Sequence, residues 1–310
     1  MEKKPLVSVF VGTYNQEQYI AQTLESFLMQ QCDFDFEIVI GEDGSKDKTL
    51  EICQNYVEKY PDKIKLLDRV KNQGLTENFF EGLTHCEGKY IATCGGDDYW
   101  TDPLKLQKQV NILEGNPDIV ITYHDSIMVD ESETLISDTE AGYINRRDFT
   151  GEDLQRGVFI SARTICFRNV IDFSKINYKK VINEDAFLFA LLGEYGTGKY
   201  CHEIESAVYR ILKKGVWSSR NELLRLKASM ITYKCLIKHY KKNGKFELAD
   251  FYKHKYYTWN SRTLFLAVEN KQTKEVFRAY FISLLNRNSN FDKINLINLH
   301  KTLFKYLLSF

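Results

Sequence analysis

This 310-residue chain has no excess of either charge: 42 Lys and Arg balance 42 Asp and Glu, for a formal net charge of zero. A chain without a net field has no built-in pull toward nucleic acid. It also lacks any apolar run approaching the roughly 20 residues of a membrane span. Residues 6–11 are too short for a signal-peptide core and lead straight into Gly12-Thr13-Tyr14-Asn15. Cysteine is present seven times, at positions 32, 53, 86, 94, 166, 201 and 235, with no Cys-x-x-Cys pair. An odd, scattered set speaks against a disulfide framework and gives no zinc spacing; it reads as small buried hydrophobes in a reducing cytosol. Proline is scarce, four in all, with none after Ser219. What remains, 44% hydrophobic and 27% charged, is an ordinary globular composition.

The first half alternates two periodicities. Residues 7–11 are β-branched and apolar, which predicts a strand buried on both faces. Residues 18–30 carry Ile20, Leu24, Phe27 and Leu28 at helical spacing. A second strand is predicted over 36–40, then an Asp43-Gly44-Ser45 turn, with Ser45 or Asp47 capping a helix through Leu50, Cys53 and Val57. Strands over 64–67 and 90–94 flank a helix over 76–85. Leu106, Val110 and Leu113 mark another helix, with Pro103 suited to its first turn. Residues 119–123 are strand-like again. Strands separated by helices predict an α/β fold: a mostly parallel sheet flanked by helices.

Residues 125–163 are polar and give no clear pattern. A return strand is predicted over 158–167, a helix over 184–192 and a late strand over 204–211. After Ser219 the spacing of Leu226, Met230, Tyr233 and Ile237 marks one helix face, and 252–266 and 276–285 continue in that style. This predicts a helical C-terminal subdomain over 219–310, behind a first domain over 1–218.

Five segments carry chemistry. In Cys94-Gly95-Gly96-Asp97-Asp98-Tyr99-Trp100, two carboxylates follow a glycine turn at the carboxyl end of a strand, where open α/β sheets bind ligands. Adjacent carboxylates repel, and a divalent ion carrying a diphosphate would offset them. Val9-Phe10-Val11-Gly12-Thr13-Tyr14-Asn15 ends a buried strand in hydroxyl, aromatic and amide groups that can hold a heterocycle and its ribose. Glu42 and Asp43, after the next strand, offer acceptors beside that loop. Asn183-Glu184-Asp185 opens an apolar helix; an acid there stabilises the helix dipole or serves as a general base. Tyr209-Arg210, followed by Lys213-Lys214-Gly215-Val216-Trp217-Ser218, is a cationic loop able to close over a diphosphate.

In their order along residues 5 to 220, these segments, with Asn72-Gln73-Gly74 and Asn78 between them, resemble the inverting family 2 glycosyltransferases of GT-A fold. The resemblance implies a Rossmann-like nucleotide-sugar half over 1–124 and an acceptor side over 125–218. It assigns Thr13, Tyr14, Asn15, Glu42, Asp43 and Asn72 to the nucleotide, with UDP the expected one. It assigns Asp97 to a Mg²⁺ or Mn²⁺ ion, Asp185 to the catalytic base, and Asp98, Trp100, Glu184, Arg210 and Trp217 to donor and acceptor. The reaction implied is transfer of a sugar from a nucleoside-diphosphate sugar to an acceptor hydroxyl with inversion. A glycan or lipid-linked glycan acceptor, in surface polysaccharide synthesis, is the expected partner. Two positions depart from the pattern: the acid often found two before Asp97 is Gly95, and the His often found two after the Tyr-Arg pair is Leu212. The rival class is therefore a catalytically weak or inactive nucleotide-sugar or glycan binding module of the same fold. A nucleotidyltransferase is a second rival, but Gly12-Thr13-Tyr14-Asn15 lacks the Gly-rich, basic phosphate loop such enzymes use.

Residues 292–310 alternate Ile294, Leu296, Ile297, Leu299, Leu303, Phe304, Leu307 and Leu308 with Lys293, Lys301 and Lys305. Such a basic amphipathic tail fits an anionic membrane surface, and equally a face packed on neighbouring helices or a second subunit. The expectation is a cytoplasmic protein, with peripheral contact at the inner face of the membrane or a homo-oligomer as alternatives. The aromatics and lysines of 233–257 would suit nucleic-acid stacking, but the zero net charge speaks against it.

Overall fold

The structure is a computed structural model describing residues 4–67, 69, 71–140, 142, 145–213, 215, 220–284, 301 and 303–304. The chain divides into two compact units, Met1–Lys179 with Glu184–Lys213, and Lys180–Asn183 with Lys214–Phe310.

The first unit is built on a seven-stranded sheet. In chain order its strands are β1 (Val7–Thr13), β2 (Phe36–Glu42), β3 (Ile64–Leu67), β4 (Tyr90–Gly95), β5 (Ile119–Tyr123), β8 (Cys166–Arg168) and β9 (Thr197–Tyr200). Across the sheet they run β3-β2-β1-β4-β8-β5-β9, all parallel to their neighbours except β8, which is antiparallel to both β4 and β5. A smaller sheet holds β10 (Ala207–Arg210), β6 (Ser126–Val129) and β7 (Leu135–Ser137) in that order. The helices of this unit are α1 (Ile20–Leu28), α2 (Thr49–Lys59), α3 (Leu75–Thr84), α4 (Lys105–Gly115), α5 (Gly151–Arg156) and α6 (Glu184–Leu192).

The central strands form because their residues are apolar on both faces. Val7, Val9, Phe10 and Val11 of β1 and Ile38, Val39 and Ile40 of β2 are all buried; Val7, Val9, Val11, Ile38 and Ile40 share one core with Leu24 and Phe27 of α1 and Leu106, Val110 and Leu113 of α4, while Phe10, on the other face, packs against Phe79 of α3. The expected α/β sheet and the helix over 184–192 are found. The expected return strand over 158–167 is mostly not a strand. Only Cys166–Arg168 pairs, and a 3-10 turn covers Ala162–Thr164. The carbonyls of Ala162 and Arg163 accept instead from Thr93 Oγ1 and Trp100 Nε1. Strands β6, β7 and β9 and helix α5 lie in stretches without a readable periodicity. Helix α5 carries a capping box between Thr150 and Asp153. Pro103 stands two residues ahead of α4 rather than in its first turn. Neither Ser45 nor Asp47 is the α2 cap residue; Lys48 is, although Asp47 Oδ1 accepts from the Thr49 N–H.

Among the described residues, the second unit holds the helices α7 (Glu222–Lys242), α8 (Phe246–Glu269) and α9 (Thr273–Leu284). Asn221 caps α7 by accepting from the Leu224 N–H. Leu264 and Ala267 of α8 pack with Val276 and Ala279 of α9, and Asn260 Nδ2 donates to the Ala279 carbonyl within that contact. Among the described residues no helix is long and apolar enough to cross a membrane. Most of the expected amphipathic tail over 292–310 lies outside the described residues.

Candidate active site

The site is set by where the parallel strands stop. Gly12 at the end of β1 is in register with Gly41 of β2 on one side and Gly95 of β4 on the other. The three loops that follow therefore leave the same edge of the sheet. The Asp43 N–H donates to the Thr13 carbonyl, and the Gly96 N–H donates to the Gly12 carbonyl. This edge is the crevice in which open α/β sheets take ligands.

The nucleotide-side residues gather here, laced to one another. Thr13 Oγ1 donates to Gln16 Oε1 at 2.8 Å. Asn15, at φ 53°, holds the left-handed conformation that Asn tolerates. Its N–H donates to Ser45 Oγ, and its Oδ1 accepts from the Lys46 N–H. Glu42 turns back and accepts from the N–H groups of Gly44 and Ser45. Asp43 accepts from the N–H groups of Gln73 and Gly74 at 2.7 and 2.9 Å. Gly44 lies at φ 68°, and a Cβ there would sit 3.1 Å from the Asn72 nitrogen, so a side chain at 44 would be strained and crowded. Tyr14 is exposed, and so is Asn72, beside the acidic turn. Asn78 Nδ2 donates to the Gly41 carbonyl and its Oδ1 accepts from Arg69 Nε. Among the described residues, Arg69 keeps one buried guanidinium nitrogen without a partner.

The acidic turn after β4 divides its two carboxylates. Asp97 is half-exposed, and among the described residues no other side chain donates to its carboxylate. Burial and then the charge of Asp98 push its pKa up to about 7. Asp98 is 5% exposed and fully engaged: Oδ2 accepts from Arg163 Nε at 2.7 Å, and Oδ1 from the Arg210 N–H at 3.0 Å. Burial raises its pKa, and Arg163 opposes that rise.

Asp185, at the start of α6, is half-buried and accepts from the Ala186 N–H. Burial first, and Glu140 next among the charges, raise its pKa, while Arg163 and the Ala186 N–H lower it. The charge of Arg163 thus acts on Asp97 and Asp185 alike. Glu184 Oε2 lies 3.5 Å from Thr76 Oγ1, bringing the start of α6 to the start of α3 and the loop that Asp43 holds. Asp43 is thus tied to the loop ahead of α3, which Glu184 approaches, and Arg163 acts on both Asp97 and Asp185.

Three residues expected in the donor and acceptor pocket lie inward of it. Trp100 is 2% exposed; its ring packs 4.6 Å from Phe27, and its Nε1 donates to the Arg163 carbonyl. It is a core residue. Asp98 is a brace for the reasons above. The Arg210 guanidinium donates to the Asp97 carbonyl, Gln22 and Glu133, so it holds the acidic turn from behind. Trp217, with Lys214, Val216 and Ser218, lies outside the described residues.

No motif marks Arg163 or Glu140. Arg163 is buried, bonds Asp98, Ser161 and Glu140, and lies over the Tyr209 ring at 4.0 Å. Its signal was a lone Arg in a stretch without pattern, meeting acids far away along the chain.

Among the described residues, no group of three or more His, Cys, Asp and Glu could enclose a metal ion. A half-exposed, unpaired carboxylate of raised pKa nevertheless fits a hard divalent cation whose other ligands are phosphate oxygens and water.

Comparison with known proteins agrees with this architecture. The glycosyl transferase family 2 model matches residues 8–172. An uncharacterized protein of Mycobacterium tuberculosis is 33% identical over 69% of this chain and 61% of its own length. This chain thus spans less than two thirds of that relative. An uncharacterized glycosyltransferase of Haemophilus influenzae is 33% identical over 50% of this chain and 47% of its own. Among solved structures, S. aureus TarS in complex with UDP-GlcNAc aligns with a TM-score of 0.58 at 17% identity, covering 99% of this chain and 92% of that one. A mannosyltransferase of Pyrobaculum calidifontis, in complex with GDP-Man and Mn²⁺, aligns at 0.54 and 15% identity, covering 99% and 88%. At these identities the likeness concerns the fold, which is GT-A.

Proposed function

The chain belongs to glycosyl transferase family 2, and from that premise we propose that it transfers a sugar from a nucleoside-diphosphate sugar, with UDP as the first candidate nucleotide, to a glycan or lipid-linked glycan hydroxyl with inversion. The observation that carries this reading is the pairing of Asp97 and Asp185. Both are half-exposed carboxyls of raised pKa acted on by one buried cation, Arg163.

In this reading the loops of Thr13, Tyr14, Asn15 and Asn72 receive the base and ribose. Asp43 keeps their floor in place, and Arg69 offers an unspent donor beside them. Asp97 would hold a Mg²⁺ or Mn²⁺ ion, which when bound neutralises charge developing on the departing diphosphate. Asp185 accepts the proton of the attacking acceptor hydroxyl. A carboxylate with a raised pKa is a stronger base than a surface one and suits that task. Glu184, next to it, is placed to orient the donor or acceptor. Attack from the base side, with the diphosphate leaving opposite, inverts the anomeric carbon.

The deciding experiment compares wild type with Asp185→Asn in sugar transfer and in UDP binding. The expected result is a loss of about 10²–10⁴ in rate with UDP affinity kept. Equal, negligible donor turnover by both forms, with UDP still bound, would instead establish the binding module. Gly95 and Leu212, which stand where the family often has a metal-site acid and a closing-loop His, favour that second reading. Cytoplasmic placement and peripheral contact with a membrane belong to the first reading. The exposed Phe277 and Phe281, one turn apart on α9, support a contact of that kind or with a second copy.

A further inference from the structure

The zero net charge of the whole chain is the sum of two opposite halves. Residues 1–213 carry 23 Lys and Arg against 36 Asp and Glu, and residues 214–310 carry 19 against 6. The second stretch, which makes up nearly all of the helical unit, stands at +13 and the first at −13. Helix α7 shows the excess most clearly. Its one acid, Glu222, stands against Arg225, Lys227, Lys234, Lys238, Lys241 and Lys242. Lys234, Lys238 and Lys241 recur at i, i+4 and i+7, so they share one side of the helix, and they are exposed, as is Lys242. Like charges at that spacing destabilise a helix. Among the described residues, none of Lys238, Lys241 and Lys242 has an ion-pair partner. The helix dipole accounts for little of this, since a helix C-terminus presents only about half a negative charge.

The turn after α7 fixes what stands beside these lysines. Gly244, at φ 71°, takes the left-handed position that ends the helix; its N–H donates to the Lys241 carbonyl, and the Lys245 N–H donates to the Tyr240 carbonyl. Phe246 follows at once as the first residue of α8, at the tip of the hairpin, and is 65% exposed. Lysines around an exposed Phe match an anionic bilayer: the ammonium groups meet lipid headgroups, and the ring enters the boundary with the acyl chains. Nucleic acid is a poorer match. Tyr240, Tyr252 and Tyr256 are buried, and the rings of Tyr240 and Tyr252 stack on each other at 5.8 Å. These aromatics are spent inside the hairpin and give bases no platform.

We propose that the end of the α7–α8 hairpin is a docking surface for an anionic lipid bilayer, with Lys238, Lys241 and Lys242 on the headgroups and Phe246 inserted among them. Its use in bringing the chain to a lipid-linked acceptor rests on the transferase reading; the docking itself requires no sugar transfer. The test is co-sedimentation of the full chain with vesicles of phosphatidylcholine alone, and of phosphatidylcholine and phosphatidylglycerol in equal parts. Wild type is compared with the combined Lys238→Gln, Lys241→Gln and Lys242→Gln variant and with Phe246→Ser. A control combines Lys59→Gln, Lys175→Gln and Lys179→Gln, which removes the same charge from exposed positions of the first unit. Binding of a single-stranded RNA and of UDP is measured on every form.

Wild type is expected to sediment with the mixed vesicles and not with phosphatidylcholine alone. The binding should fall away between about 0.1 and 1 M salt, as the screening length shrinks from about 10 to about 3 Å. The hairpin lysine variant should lose about a hundredfold in partitioning, a factor of about five per lysine. Phe246→Ser should lose about tenfold, and the control variant should bind as wild type does, with UDP affinity unchanged throughout. Equal binding to both vesicle types, an equal loss in the control, or full binding by either hairpin variant would overturn the surface. RNA bound without vesicles would overturn it in favour of nucleic acid. UDP binding without vesicle binding sinks the docking surface alone. Hairpin-dependent vesicle binding without UDP binding keeps the surface and sinks the nucleotide-sugar reading.

Discussion

Arg163 Nε lies 2.7 Å from Asp98 Oδ2, and both side chains are withdrawn from solvent. The same guanidinium holds Glu140 and Ser161. Removing one partner of a buried ion pair leaves an uncompensated charge, whose cost exceeds that of losing the pair together. Arg163→Met is expected to destabilise the protein by about 3–5 kcal/mol in urea unfolding. Adding Asp98→Asn should recover part of that loss, and strictly additive costs would show that the two residues are not coupled.

Asp97 is the carboxylate left open at the turn. Asp97→Ala should abolish the dependence of UDP binding on metal. Calorimetry with and without Mn²⁺ reads this directly, and an affinity that rises equally with Mn²⁺ in both forms would remove Asp97 from the metal site.

Asp43 spends both carboxylate oxygens on the N–H groups of Gln73 and Gly74. Asp43→Ala should weaken uridine binding even without metal, and should also lower stability by about 1 kcal/mol as those partly exposed N–H groups lose their acceptor. Wild-type affinity for uridine in the variant would exclude the loop it holds from the nucleoside site.

Gly82 in α3 leaves room for Phe10 of β1. A Cβ there would lie 2.0 Å from Phe10 Cε2 and 2.3 Å from Cζ. Replacing a helical Gly by Ala ordinarily stabilises by about 1 kcal/mol. Here overpacking, at about 1–3 kcal/mol, should reverse the sign. A higher melting temperature for Gly82→Ala would contradict this contact.

Lys105 is wholly buried, with Nζ 2.6 Å from Gln109 Oε1 and 4.1 Å from the centre of the Trp100 ring. Burial lowers its pKa from 10.5 to about 8. Between those values the unfolded chain binds the extra proton, so stability rises with pH across that window. Relative to Lys105→Met, the wild type should gain on the order of 3 kcal/mol from pH 8 to above 10, at about 1.4 kcal/mol per pKa unit. The same pH slope in both forms would mean that Lys105 titrates normally.

The parallel core was legible because strands buried on both faces cannot hide their apolar runs, as residues 7–11 and 36–40 illustrate. Helix α6 was legible at both ends, since an acidic pair opens a solid apolar block. The small sheet was not: β7 is three residues long, with Leu135 and Ile136 exposed, too short to carry a period. The carboxylates at the strand ends were visible as turns after strands. Their partners were not, because Arg163 meets acids 65 and 23 positions away, and nothing local marks such a residue. Trp100 misled for the opposite reason. An aromatic beside an acidic turn looks like a pocket wall, but its ring faces α1 and the core.

Arg210 closes the acidic turn from far along the chain: its N–H reaches Asp98 and its guanidinium reaches the Asp97 carbonyl, 112 and 113 positions earlier. During synthesis, strand β4 leaves the ribosome long before β10 exists. A nascent chain halted anywhere before Arg210 can fold much of its sheet and still lack a finished turn. A fragment limited to the span matched by the family, residues 8–172, ends short of that clasp and would be a fold without its final fastening.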